Sequence, residues 1–302
     1  GAGNYSSRIL MPAFKRCGAV LKTVLTSGGL SGVLHGKKSG FESATTDVDD
    51  IFTDSAINSV VVATRHDSHA DYVIHALQAG KHVFVEKPLC IKREQLMQIR
   101  EVSASNNAML VVGFNRRFAP QVIRIKSLLA SVRDPVSFIM TVNAGAIPID
   151  HWTQDSHVGG GRLLGEGCHF IDLLRYLAAS PIATSHVVYL DNACRDSFTI
   201  QLSFENGSIG TVHYYANGHR SFPKERLEVF AAGKVIQLDN FIKMKGYGWS
   251  GFSKMNLWSQ DKGQTALVNA FVSAVSISAV SPIPVNEIFE VMDVCLELAD
   301  VD

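Results

Sequence analysis

Apolar residues in the first third of the chain fall in short continuous runs, each separated from the next by a stretch with helical spacing. The runs at 20–25, 59–63, 82–85 and 109–112 are rich in β-branched and bulky residues and read as strands. Residues 5–16, 68–79 and 92–105 read as helices. In the second of these, Ala70, Val73, Ile74 and Leu77 share one stripe. A further, acidic helical stretch opens at Thr45-Thr46-Asp47. Strands that are apolar on both faces, alternating with helices of about a dozen residues, predict a parallel sheet covered on both sides. This is a doubly wound α/β domain ending near residue 115.

The pattern then changes. A helix at 119–131 leads into a strand at 136–144, a Gly-rich turn and a helix at 162–178. Strands follow near 184–190, 197–204, 208–216, 226–231 and 234–238, with turn signals at Glu205-Asn206-Gly207 and Ala232-Gly233. Strands joined by short turns predict a large, mainly antiparallel open sheet with helices on one face, an α+β domain. Segment 245–262, rich in glycine and aromatics, reads as a loop, and helices at 263–279 and 286–300 close the chain. The expected domains are therefore 1–118 and 119–302.

Composition removes several function classes. The 302 residues carry 28 basic and 28 acidic side chains, a net charge of zero, which argues against a general nucleic-acid binder. No apolar run reaches the roughly 18 residues of a membrane span, and no signal peptide opens the chain. Cys17, Cys90, Cys168, Cys194 and Cys295 are scattered and odd in number, with no metal-ligand spacing. A reducing, cytoplasmic setting without a bound metal is expected.

Chemistry concentrates at strand ends. Gly1-Ala2-Gly3-Asn4-Tyr5-Ser6 runs straight into a helix and is most of a dinucleotide fingerprint, with Ser6 in the third small position. Its glycines would let the backbone approach a pyrophosphate at the helix N-terminus. The strand that should precede it is absent from the chain as given, so the parallel sheet is expected to show a gap or a foreign strand at its centre. Weak cofactor affinity is expected for the same reason. After the run ending at Leu25, Thr26 and Ser27 stand where a ribose-binding carboxylate is usual. Its absence leaves NAD and NADP both open and leans the choice towards NADP. Two further clusters end parallel strands, Ala63-Thr64-Arg65-His66-Asp67-Ser68-His69 and Glu86-Lys87-Pro88. Lys87 precedes a proline, which holds it extended.

These segments, followed by Gly113-Phe114-Asn115-Arg116-Arg117-Phe118 and by Gly159-Gly160-Gly161-Arg162-Leu163-Leu164-Gly165-Glu166-Gly167-Cys168-His169-Phe170-Ile171-Asp172, occur in register along the whole chain. The chain resembles the glucose–fructose oxidoreductase / inositol dehydrogenase / rhizopine-catabolism (GFO/IDH/MocA) family of NAD(P)-dependent dehydrogenases. Its wording is similar to a subgroup in which this unit follows a zinc alcohol dehydrogenase-like region in one longer polypeptide.

The resemblance implies a Rossmann domain and a substrate domain whose open sheet makes homo-dimers or tetramers. It implies a sugar-like or cyclitol substrate oxidised at a secondary alcohol. Lys87 matches the family's lysine beside the nicotinamide, with a Lys87–Pro88 bond that is often cis. His169 matches the histidine assigned to proton transfer. Glu166 and Asp172 flank it at helical spacing, while Gly165 stands where the family often has an aspartate. Cofactor contacts are expected from Gly1, Gly3, Asn4, Tyr5, Ser6, Thr26, Ser27, Ala63, Thr64, His66, His69, Glu86, Lys87, Pro88 and Asn115. Substrate contacts are expected from Arg116, Arg117, Trp152 and His169. Lys224, Glu225 and Arg226 read as a charged strand edge. The Gly165 departure keeps a second reading open, a dinucleotide-binding sensor or scaffold without turnover. Reduction of a C=N or C=C bond, which needs no histidine base, is a third.

Overall fold

The apolar runs of the first third become β1 (Thr23–Leu25), β3 (Ser59–Val62), β4 (His82–Val85) and β5 (Leu110–Val112), joined by β2 (Ser43–Thr45). The structure, a computed structural model, describes residues 1–192 and 194–299, the side chains at positions 30 and 31 excepted. The final residue of the helix expected at 286–300 lies outside that range. Every pairing among the first five strands is parallel, as continuous apolar runs predict. They form two sheets, β1-β2 and β3-β4-β5. β1 and β3 are not paired, so the expected break in the sheet is present.

A π-helical turn (Ser6–Leu10) runs into α1 (Met11–Arg16), followed by α2 (Gly29–Ser39), α3 (Asp49–Phe52), α4 (His69–Gln78) and α5 (Arg93–Ala104). In α4 the buried residues Ala70, Val73, Ala76 and Leu77 make one stripe, the spacing that predicted the helix. The sequence reading missed α2. Its Gly28-Gly29, Gly32 and Gly36 look like loop, because glycine is a poor helix former. Gly36 is there for contact: a Cβ at this position would lie 2.7 Å from Val24 Cγ1 of β1.

The chain divides into two units, one of Gly1–Gly113 with Gln264–Met292, the other of Phe114–Gly263 with the chain from Asp293 onwards. This departs from the continuous halves 1–118 and 119–302. The cause is the helix Gln264–Ser276, whose Phe271 joins Phe14 of α1 and Phe84 of β4 in an edge-on cluster with centroids 5.3–6.2 Å apart. Edge-to-face pairs of this kind contribute about 0.5–1.5 kcal/mol each beyond their burial. An amphipathic helix joins the core that covers its apolar face, whatever its place in the chain.

The second unit is built on one eight-stranded sheet. Its strands are β6 (Ser137–Asn143), β7 (Ile182–Tyr189), β8 (Phe198–Phe204), β9 (Ile209–Tyr215), β10 (Glu225–Ala231), β11 (Lys234–Asp239), β12 (Lys243–Tyr247) and β13 (Lys254–Asn256). Their order is β13-β12-β11-β10-β6-β9-β8-β7, antiparallel except for the parallel pair β6–β9. Alternate residues such as Phe138, Met140 and Val142 of β6 and Leu227 and Val229 of β10 are buried. This is the period-two pattern of a sheet covered on one face. Between β10 and β11, Ala232 and Gly233 both have positive φ, as a two-residue hairpin turn requires. β12 and β13 correct the loop expected at 245–262. Met244 is the one buried residue of β12, between exposed Lys243 and Lys245, so charge hid the alternation. α6 (Pro120–Leu129) and α7 (Cys168–Ala178) belong to this unit, α7 entered through a second π-helical turn, Leu163–Gly167.

Candidate active site

In the first unit the candidate residues gather at the carboxyl ends of β3 and β4. A Cβ on Gly1 would lie 2.4 Å from the Ala63 carbonyl oxygen, which places the fingerprint loop beside the end of β3. Gly3, Asn4 and Tyr5 are exposed at the start of the first helix, and nothing lies within 4 Å of a Cβ built on Gly3. That open space in front of helix N–H groups fits a diphosphate. Ser6 corrects its expected role: it is buried and its hydroxyl donates to the Gly1 carbonyl at 2.9 Å, closing the turn. Thr26 is likewise buried, its hydroxyl donating to Gly28 O at 2.9 Å; of the pair Thr26 and Ser27, only Ser27 is exposed.

The Lys87–Pro88 peptide is cis. Lys87 and Glu86 follow β4 directly and are half-buried. His69 holds this corner. Its Nδ1 lies 2.7 Å from the Pro88 carbonyl and its Nε2 3.3 Å from the Thr64 carbonyl, so the imidazole sits between the end of β4 and the end of β3, and when neutral it donates to one of the two. Burial lowers its pKa, the two carbonyls pull it back in part, and the Lys87 charge lowers it again. His69 was expected to contact cofactor. Fully buried and with both ring nitrogens beside backbone oxygens, it supports Lys87 instead. His66, also buried, lies with its ring 5.5 Å from that of His69. Ala63 and Thr64 are half-buried, with Thr64 Oγ1 accepting from Ser68 Oγ at 2.8 Å. Gly113 makes room for Glu86, since a Cβ there would meet its carboxylate at 2.9 Å.

In the second unit, His169 sits on the first turn of α7, 8% exposed. Its ring meets Phe114 and Phe170 edge-on, both with centroids 6.4 Å away. The two carboxylates expected beside it have arginine partners. Asp172 accepts from Arg117 Nε at 2.9 Å on both oxygens and lies 2.7 Å from Arg117 Nη2 in an ion pair, with its side chain wholly buried. Glu166 pairs with Arg162 at 3.0 Å, four residues earlier. The π-helical turn over 163–167 alters the phase of the helix, so regular i, i+3 spacing does not carry across Glu166 and His169.

Arg116 and Arg117 were expected at the substrate. Both are buried in ion pairs. Arg116 makes a fork of two 3.0 Å bonds to Glu225, which also receives Lys262 Nζ at 2.6 Å. Burial opposes ionisation of Glu225, but Arg116 and then Lys262 outweigh it and bring its pKa down to about 2. Glu225 thus belongs to a buried triad and not to a charged strand edge. Asn115, expected at the cofactor, is buried in this unit and donates to the Lys262 carbonyl at 2.6 Å. Trp152 is half-buried, its ring 5.9 Å from that of His151.

Sequence reasoning missed Glu225, Lys262 and Tyr214. Arg162 bridges Glu166 and the Gly145 carbonyl and lies over the Tyr214 ring at 5.4 Å. Burial, and next the charge of Glu166, push the Tyr214 phenol well above its ordinary range, so it stays protonated. Glu225, Lys262 and Tyr214 lie far in the chain from Arg116 and Arg162, and no local spacing announces them. Among the described residues, no cluster of side chains could hold a metal ion and no helix is long and apolar enough to cross a membrane.

Comparison with known proteins agrees with this layout. The model of an oxidoreductase family with an NAD-binding Rossmann fold (GFO/IDH/MocA) matches residues 1–114, and the GFO/IDH/MocA C-terminal domain matches residues 129–236. A myo-inositol 2-dehydrogenase of Thermotoga maritima is 26% identical over 215 residues, covering 68% of this chain and 63% of that one. An inositol 2-dehydrogenase of Saccharopolyspora erythraea is 30% identical over 177 residues, covering 55% of this chain and 50% of that one. The chain thus spans about half to somewhat under two thirds of the length of these relatives. Among solved structures, a levoglucosan dehydrogenase in complex with NADH and levoglucosan superposes with a TM-score of 0.86 at 20% identity, over 99% of this chain and 95% of that one. With both of its domain models matched along the sequence, the chain belongs to the GFO/IDH/MocA family of oxidoreductases.

Proposed function

We propose that this chain transfers a hydride between the nicotinamide of NAD or NADP and a secondary alcohol or ketone of a sugar, sugar derivative or cyclitol. The observation that carries the reading is the Lys87 corner. A lysine stands at the carboxyl end of a parallel strand, behind a cis-proline whose carbonyl meets buried His69, at the same sheet end as the Gly1 loop. Ligands of open α/β sheets bind at that end. Bound there, the nicotinamide supplies the hydride acceptor or donor.

The chain's own residues do the rest. Gly1, Gly3 and Asn4 leave room for the diphosphate at the helix start, and Ser27 offers a hydroxyl to the ribose. Lys87 stabilises the negative charge that grows on the substrate oxygen. His169 takes the hydroxyl proton as the hydride leaves the same carbon, and returns it in the reverse direction. The alcohol carbon loses two electrons and becomes the ketone. Trp152, half-buried, is a further expected substrate contact.

The related inositol and levoglucosan dehydrogenases support the substrate class. The lack of a carboxylate at 26–29 supports a lean to NADP. Five free thiols, three of them buried, suit a reducing, cytoplasmic compartment. Exposed Val188, Ile209, Tyr215 and Phe230 on the eight-stranded sheet support self-association as a homo-dimer or tetramer.

The test is a panel of inositols, aldoses and anhydrosugars with NAD and NADP, each labelled with deuterium at the carbinol carbon. At least one should deliver deuterium to the nicotinamide, and Lys87→Ala should cut that rate by about a hundredfold or more. Dinucleotide binding without transfer to any substrate would favour a sensor and contradict the proposal.

A further inference from the structure

Asparagine followed by glycine is the pair most prone to lose its side-chain amide without an enzyme. The glycine nitrogen attacks the asparagine Cγ, and the missing Cβ lets it come close. The chain holds two such pairs, Asn206-Gly207 between β8 and β9 and Asn217-Gly218 between β9 and β10. All four residues are exposed, but their hydrogen bonding differs.

At the first pair every group the reaction uses is held. Asn206 Nδ2 donates to the Ala178 carbonyl and its Oδ1 accepts from the Ser208 N–H, both at 3.0 Å. The Gly207 N–H donates to the Phe204 carbonyl at 2.9 Å. Attack there requires these bonds to open first. At the second pair, among the described residues, neither the Asn217 side chain nor the Gly218 N–H has a hydrogen-bond partner. Exposed Arg220 brings positive charge to the same loop, which favours the anionic nitrogen that makes the attack.

We propose that Asn217 is a site of spontaneous covalent modification, converting through a cyclic imide to aspartate and isoaspartate and thereby unpinning the link from β9 to β10. The Gly218 nitrogen loses its proton and bonds to Asn217 Cγ. The bond from Cγ to Nδ2 breaks and ammonia leaves. Water then opens the imide. Cleavage between Cγ and nitrogen gives aspartate. Cleavage at the main-chain carbonyl gives isoaspartate, whose main chain runs through Cβ and Cγ and is one carbon longer. Nothing is oxidised or reduced, and water is the only co-reactant.

The extra carbon falls where the loop is fastened. Asn143, buried at the end of β6, donates through Nδ2 to the carbonyls of His219 at 2.8 Å and Phe222 at 3.2 Å. Its Oδ1 lies against Gly218, where a Cβ has no room. Lengthening the chain at position 217 pushes these contacts apart. The buried Asn143 amide is then short of acceptors, which is costly.

The test ages the 302-residue chain in mildly alkaline heavy-oxygen water and maps its peptides by mass spectrometry. The peptide holding Asn217 should take up one heavy oxygen and become a methyl acceptor for protein-isoaspartate methyltransferase. Its rate should lie within about tenfold of that of a synthetic peptide spanning 215–220, because no part of the fold has to open. Asn206 should convert at least about tenfold more slowly than Asn217, since several bonds hold it. Asn217→Gln can close only a larger, slower ring and should reduce methyl acceptance to the Asn206 background. The aged chain should melt about 2 °C or more below the fresh one. Asn217→Asp, which adds the charge and keeps the main chain, should melt with the wild type. Asn217 slower than the peptide by more than about tenfold, Asn206 within about tenfold of Asn217, or undiminished methyl acceptance in Asn217→Gln would overturn the site. An unchanged Tm after ageing, or an equal loss in Asn217→Asp, would overturn the unpinning.

Discussion

Asp172 lies one helical turn from His169 in sequence, and its carboxylate meets Arg117 through three short contacts. A guanidinium beside a wholly buried carboxylate offsets the cost of burying its charge. Removing one partner strands the other charge. Asp172→Asn should therefore cost about 3–5 kcal/mol in urea unfolding, and Asp172→Leu combined with Arg117→Met should recover much of that loss. A cost under about 1 kcal/mol would place the pair among exposed ones. Glu225 gives a pH signature. Its folded pKa of about 2 lies below the ordinary value of 4.5, so the unfolded chain binds the proton more readily. The stability it contributes is complete above about 4.5 and is lost as pH falls towards 2. Unfolding midpoints of the Glu225→Gln variant should fall less steeply than wild type across that window. A parallel fall would contradict the assignment.

At the scale of elements, legibility followed the kind of signal. Continuous runs such as Ser59–Val62 and stripes such as that of α4 were plain in the sequence, because burial imposes a period on local residues. α2 and β12 were not. In α2 glycines serve close packing against β1, and in β12 lysines surround a single buried Met244. The α2 account makes a signed prediction. In an open helix, Gly36→Ala would stabilise by about 0.5–1 kcal/mol through propensity. Here the added methyl meets Val24 at 2.7 Å, an overpacking cost of about 1–3 kcal/mol. Thermal melting should show a net loss, and a rise in Tm would mean that α2 is free to move away from β1.

For the molecule as a whole, the order of motifs carried the family, while the partners of charged groups were illegible. Lys87 and His169 could be picked out because each sits in a local motif at an element end. The Arg116–Glu225–Lys262 triad could not, since its members are far apart in the chain and ordinary in their own surroundings. The central claim is that Lys87 and His169 serve one chemical step. A double-mutant cycle with Lys87→Met and His169→Gln, read as the single-turnover rate of hydride transfer, tests it most directly. Each single variant should lose about a hundredfold or more, with the double variant within about threefold of the slower single, as for residues acting as a unit. Losses that simply multiply, or a wild-type rate in either single variant, would contradict the account.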